Sequence, residues 1–224
     1  MILILRGHIR NAFDNDELFN LINIIYRLTA KLEIYIHTWS IKQNDMSWRK
    51  MDIDSTPITK ETIITYFRTL TYLIKHIIIE DDTQIIITGN KFGVINKGKM
   101  PILGWKNYWY GKYQIINHLY MLEKDHEKLV INTRFDVLSG RFPLDKTDIL
   151  KFIEKNKKEL LSKNKFISET NCYGIDNIYI GSIKTQYKLI KHFHENLDAI
   201  VKNNSNRNEQ EFLVFSENAK LFPV

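Results

Sequence analysis

The chain has 224 residues, 44% of them hydrophobic and 26% charged, a balance that fits a folded α/β domain and argues against wholesale disorder or a fibrous repeat. No apolar run approaches the roughly 20 residues of a membrane span, and the opening Met1–Leu5 stretch stops at Arg6, too short for a signal peptide. Cys172 is the single cysteine, which rules out an internal disulfide or a Cys-based zinc site and makes a reducing cytoplasm the expected compartment. The net charge of +6 points to an anionic partner without naming it.

Ile2 to Leu5 does not alternate and predicts a fully buried first strand, followed by the polar loop Arg6-Gly7-His8-Ile9-Arg10-Asn11. Asp14 or Asp16 is then placed to cap a helix carrying Leu18, Leu21, Ile22, Ile25 and Leu28 at helical spacing. Leu32 to Trp39 predicts a second strand, and strand–helix–strand order predicts a parallel pair with a right-handed crossover. Residues 40 to 60 read as mostly loop, ending in Thr56-Pro57. Thr59-Lys60-Glu61 opens a helix over Ile63, Ile64, Phe67 and Leu70, and His76 to Ile79 predicts a short third strand. Gly89 to Leu103 is a long connection, and Tyr108 to Leu122 a helix with Tyr113, Ile116, Leu119 and Tyr120 inward.

Leu129 to Val137 predicts a buried strand interrupted by Arg134 and Asp136, which share a face two positions apart. Lys151 to Lys165 reads as an amphipathic helix with a basic face, suited to solubility or to weak attraction toward anionic headgroups at the inner face of a membrane. A strand pair near Lys165–Ser168 and Asn177–Ile180, a helix over Thr185–Val201, a polar break at Asn203–Asn208 and a last helix from Glu209 complete the chain. Strands alternating with helices predict one α/β domain with a mostly parallel central sheet flanked by helices.

Charges are rarely buried unpaired, so a strand ending in Arg134-Phe135-Asp136 either delivers both groups to a cleft or closes on a structural ion pair. Gly7-His8-Ile9-Arg10 sits where parallel sheets present ligands, beyond the carboxyl end of the first strand. Gly7 permits close backbone approach and Arg10 offers a fork for phosphate. It is not the GxGxxG dinucleotide fingerprint. His37-Thr38-Trp39 closes the second strand at the same rim, and His37 there is either a structural or a ligand-facing residue. Glu80-Asp81-Asp82 reads first as a solvated turn, with a metal motif as the alternative. Trp105, Tyr108, Trp109, Tyr110 and Tyr113 concentrate aromatic surface beside Lys106 and Lys112, and Lys112, one turn into the helix, is a candidate phosphate contact.

The ordered set Gly-His-Ile-Arg, Ile-Tyr-Ile-His-Thr-Trp, Trp-Tyr-Gly-Lys-Tyr and Ile-Asn-Thr-Arg-Phe-Asp-Val resembles small bacterial and viral glycosyltransferases of capsule and lipopolysaccharide assembly. Gly174-Ile175-Asp176 to Ser182 resembles their Asp-containing strand ending in Gly-Ser, and Asn208-Glu209-Gln210-Glu211-Phe212 their late acidic motif. Each motif is short, and their order carries the likeness over nearly the whole chain. The resemblance implies a single GT-A-like (Rossmann-like) domain, with residues 1–138 forming the nucleotide-sugar half and 139–224 the acceptor side. It implies sugar transfer from a nucleotide-sugar to a polysaccharide or lipid-linked saccharide acceptor.

Gly7, His8, Arg10, His37, Lys112, Arg134 and Asp136 would then hold the donor, Asp136 also binding Mn2+ or Mg2+, and Asp176, Glu209 or Glu211 would serve as base. One departure matters: Arg134-Phe135-Asp136 supplies one carboxylate where the Asp-x-Asp motif of such enzymes supplies two. A transferase of the same fold moving another phosphate-linked group is the nearer rival. A basic nucleic-acid or polyanion module is the farther one, since no recognition-helix or RNP-like pattern occurs; no nucleic-acid partner is expected.

Overall fold

The computed structural model describes residues 1–29, 31–45, 51–95, 101–140, 143–159, 161–167, 177–203 and 210–223. Its centre is a six-stranded sheet. β1 (Ile2–Arg6), β2 (Glu33–Trp39), β5 (Ile74–Glu80) and β6 (Leu129–Arg134) run parallel; β8 (Ile178–Ser182) pairs antiparallel with β6, and the short β7 (Lys165–Phe166) with β8. The spatial order is β5-β2-β1-β6-β8-β7. The chain after residue 138 therefore completes the same sheet. Among the described residues no helix is long and apolar enough to cross a membrane.

β1 is buried at every position because both faces of the sheet are covered. Leu3, Leu5, Ile34, Ile36 and Ile131 face one layer, built from α1 (Glu17–Thr29), α2 (Lys60–Phe67) and α4 (Lys146–Asn156). Ile2, Ile4, Tyr35, Val130 and Tyr179 face the other, where α3 (Ile102–Leu122) packs on α5 (Ile183–Asn203) and α6 (Gln210–Leu221) adds Leu213 and Val214. Each fully buried aliphatic side chain contributes about 1.5–3 kcal/mol relative to exposure, before entropy is charged against it.

Several local expectations are corrected. Asn15 Oδ1 accepts from Glu17 N at the start of α1, while Asp14 and Asp16 reach Lys42 and Arg68 instead. The stretch expected to be loop after β2 contains an antiparallel ribbon of β3 (Ile41–Gln43) and β4 (Asp54–Pro57). Ile64, expected inward, is exposed. The basic helix is α4, capped by Asp145, whose carboxylate accepts from Thr147 N and Asp148 N; Lys165 lies in β7. α3 starts six residues before Tyr108, so its inner stripe includes Trp105, Trp109 and Lys112, while Tyr113 and Tyr120 are only partly buried. Ser168, the expected end of the strand begun at Lys165, lies outside the described residues.

Candidate functional site

The register sets the carboxyl ends of the parallel strands side by side: Arg6 opposite His37 and Arg134, and Trp39 opposite Glu80. Polar groups crowd this rim because the loops leaving the strands begin here, which is where open α/β sheets bind their ligands.

β6 stops at Arg134, and a single 3-10 turn, Phe135–Val137, brings the Asp136 carboxylate back onto the Arg134 guanidinium. Arg134 Nε donates to Asp136 Oδ1 at 2.7 Å and Nη2 to Oδ2 at 2.6 Å. Arg10 Nη1 donates to the same Oδ2 at 2.6 Å. Arg10 reaches it from a left-handed backbone, φ +52, uncommon for a residue with a side chain. Its 3-10 turn packs on the Asp136 turn through Phe13 and Phe135 at 5.6 Å, and Asn11 Nδ2 donates to Ser139 O. Burial alone would raise the Asp136 pKa. The charges and hydrogen bonds of Arg134 and Arg10 outweigh it and hold the carboxyl well below the usual carboxylate range. Two guanidiniums around one carboxylate leave the cluster one unit positive.

That arrangement does not fit Asp136 as a divalent-metal ligand. Both its oxygens are taken by cations, and its side chain is 2% exposed, so an ion would have to displace a guanidinium and sit beside another. Among the described residues no three His, Cys, Asp or Glu side chains converge as a metal group. Arg10 and Arg134, partly exposed, suit an anion instead.

Next along the rim, His8 Nε2 stands 3.6 Å from Asp82 Oδ2. Asn44 Nδ2 donates to both Asp82 oxygens at 3.0 and 2.8 Å, and Asn107 Nδ2 to the Asp82 carbonyl. Burial raises the Asp82 pKa. Burial, then the charge of Arg10, pushes His8 down to about 3, so its imidazole is neutral at pH 7. Beyond Trp39, His37 Nε2 and Glu80 Oε2 are 2.9 Å apart, and Tyr110 Oη donates to Glu80 Oε1 at 2.9 Å. Gly111 of α3 lies so close to His37 that a Cβ there would come within 2.6 Å of the ring.

The structure thus gathers Gly7, His8, Arg10, His37, Arg134 and Asp136 on one rim. Gly7 turns the chain with φ +87, accepts from Thr38 Oγ1 and donates to the His37 carbonyl. Lys112 is elsewhere. Its side chain is fully buried beneath the sheet, with the ammonium 4.1 Å from the Tyr108 ring centroid and 4.2 Å from that of Trp109. Asp176 and Glu209 lie outside the described residues, and Glu211 falls in the first turn of α6. Asp82 and Glu80 are the residues sequence reasoning missed: only Asp81 of that trio is the solvated turn acid, bonded to Thr83. The signal available was their position after a strand whose neighbours all end in polar groups. Asn44 and Tyr110 carried no such signal.

These features define an α/β protein with a cationic, carboxylate-anchored rim at the ends of parallel strands. No family model, curated protein or solved structure matches the chain.

Proposed function

We propose that the chain is a glycosyltransferase that moves a sugar from a nucleotide-sugar donor to a surface-polysaccharide saccharide acceptor, with a GT-A-like domain built on this sheet. One observation carries the reading: Arg10 and Arg134 converge on the buried Asp136 and leave a net positive charge at the rim, with Arg134 Nη1 also donating to Asn177 Oδ1. A diphosphate is the ligand such guanidiniums recognise best.

In this reading the diphosphate rests against the Arg10 and Arg134 pair, which Asp136 holds together. The acceptor hydroxyl gives its proton to the neutral imidazole of His8, whose Nε2 stands 3.6 Å from Asp82 Oδ2. The acceptor oxygen bonds to the anomeric carbon, the bond from that carbon to the phosphate oxygen breaks, and the nucleoside diphosphate leaves with the electron pair. An anion on the arginines also removes part of the field that depresses His8, so donor binding itself raises the proton affinity of the base. His8 takes the role that the sequence offered to Asp176, Glu209 or Glu211.

A thermal-shift panel of UDP-, GDP-, CMP- and dTDP-sugars, with and without manganese, tests donor binding, since a ligand that binds only the folded state raises its stability. Stabilisation by one nucleotide-sugar and its loss in Arg10→Ala supports the reading. A flat response across the panel contradicts it. A CDP-linked alcohol in the same panel separates sugar transfer from transfer of another phosphate-linked group.

A further inference from the structure

A second cleft opens on the same rim, beside the site described above, and belongs to neither the arginine cluster nor the His8–Asp82 pair. α3 runs antiparallel to the strands: His118 near its end stacks on His76 at the start of β5, while Tyr110 in its first half meets Glu80 at the end of β5. The first half of α3, the later turns of α5 and the segment after β5 therefore meet at the carboxyl edge. They enclose a cleft of about 560 Å³, counting space open to solvent, lined by Ile86, Thr88, Trp109, Tyr110, His194 and Glu195 among others.

Its outer wall is held in place. Lys106 Nζ donates to Thr88 O at 2.6 Å and to Asp198 Oδ2 at 3.1 Å, and Asn90 N donates to the same carboxylate. Gly89 fits there with φ +73, where any side chain would collide with Asp198.

The chemistry of the lining is specific. Charges are balanced in pairs, Lys106 with Asp198 and Lys191 with Glu195, so among the described lining residues no lysine or arginine is left over for phosphate. The rings offer edges more than faces. Phe193 stacks on Trp109 at 4.0 Å with the Lys112 ammonium over the same indole, and Tyr113 stacks on His194 at 4.3 Å. A nucleobase needs an open ring face. What remains is a set of edge donors and acceptors, the Tyr110 hydroxyl, the His194 imidazole and the Glu195 carboxylate, backed by the buried Trp109 indole, whose Nε1 has no hydrogen-bond partner among the described residues. The projecting Ile86 adds apolar surface.

We propose that this cleft binds an uncharged saccharide, the acceptor, through its hydroxyl groups. The assignment to an acceptor rests on the sugar-transfer reading; the binding of a neutral saccharide does not. Tyr110 links the two sites, since the Glu80 carboxylate that accepts its hydrogen bond also holds His37.

The test is NMR of the indole N–H groups of the full chain, with Trp109→Phe assigning the Trp109 signal. The protein is titrated separately with methyl glycosides of glucose, galactose, mannose, rhamnose and N-acetylglucosamine, with uridine and with inorganic phosphate. The expected result is a saturable shift of the Trp109 signal by at least one glycoside and by neither control. Thr88→Trp, at an exposed position, should fill the cleft and abolish the shift, and Glu195→Ala should weaken it by about tenfold, the loss of a hydrogen bond to a charged group. No shift with any glycoside, a shift with uridine or phosphate alone, or a shift that persists in both variants overturns the proposal. Glycoside binding without nucleotide binding leaves the cleft standing and removes the donor reading. Nucleotide binding without glycoside binding does the reverse.

Discussion

Arg10 and Asp136, separated by 126 positions in sequence, meet at 2.6 Å, and Arg134 closes on the same carboxylate from two residues away. One contact is local and one ties the first loop of the chain to its central strand. Removing the charge of Asp136 leaves two guanidiniums facing each other at a site with little water, the costly half of a broken buried ion pair. Asp136→Asn should therefore lower stability by about 3–5 kcal/mol in addition to abolishing transfer. Urea denaturation of the variant measures this, and a loss below about 1 kcal/mol would show the pair to be weakly coupled to folding.

The arginines should separate from Asp136 in their effects. Arg10→Ala and Arg134→Ala each should weaken nucleotide binding by at least about 1.5 kcal/mol, the value of a charge-assisted hydrogen bond. Calorimetric titration with the nucleotide that stabilises the protein most reads this directly. Unchanged affinity in both variants places the donor elsewhere.

His8 gives a pH signature. Its folded pKa, about 3, lies below the ordinary 6.5, so the folded chain favours the neutral imidazole. The stability this supplies is present above pH 6.5 and is lost as pH falls toward 3. Wild type should thus lose up to about 1.4 kcal/mol per pH unit more than His8→Gln in that window, one proton's worth of linkage. The same variant should cut turnover by roughly a hundredfold while donor binding survives. Parallel denaturation slopes for the two proteins would remove the buried neutral histidine from the account.

Gly111 is constrained by packing. A Cβ at 111 would press on the His37 ring, so Gly111→Ala must move either α3 or the imidazole held by Glu80. The expected cost is about 1–3 kcal/mol of stability, the range for overpacking a filled interior. A neutral or stabilising result in thermal denaturation would mean that the helix yields freely.

The sheet was legible because non-alternating runs such as Ile2–Leu5 leave no solvated face, and because Gly7, the His37-Thr38-Trp39 segment and Arg134 all fall at or next to strand ends. The helix layer over it was less so. α3 carries Lys106, Asn107 and Lys112 buried among its aromatic residues, and a periodicity count that treats Lys as outward-facing starts the helix late and turns its stripe. The ribbon of Ile41–Gln43 with Asp54–Pro57 has a polar, half-exposed surface and leaves no alternation to detect. At the site, position along the chain identified the residues on β1 and β6. Burial separated Asp82 from Asp81 one residue earlier, and burial is a property of the packed rim that adjacent positions in sequence do not carry.

The most direct test is release of the nucleotide from the nucleotide-sugar panel, the nucleoside diphosphate from UDP-, GDP- and dTDP-sugars and CMP from CMP-sugars, followed by mass spectrometry with wild type, Arg10→Ala and His8→Gln side by side, in the presence of a saccharide acceptor. Nucleotide release and a glycosylated product are expected for one donor, both lost in Arg10→Ala with weakened binding and in His8→Gln with binding retained. Turnover of none of the donors by wild type, or turnover untouched by either substitution, would contradict the sugar-transfer reading.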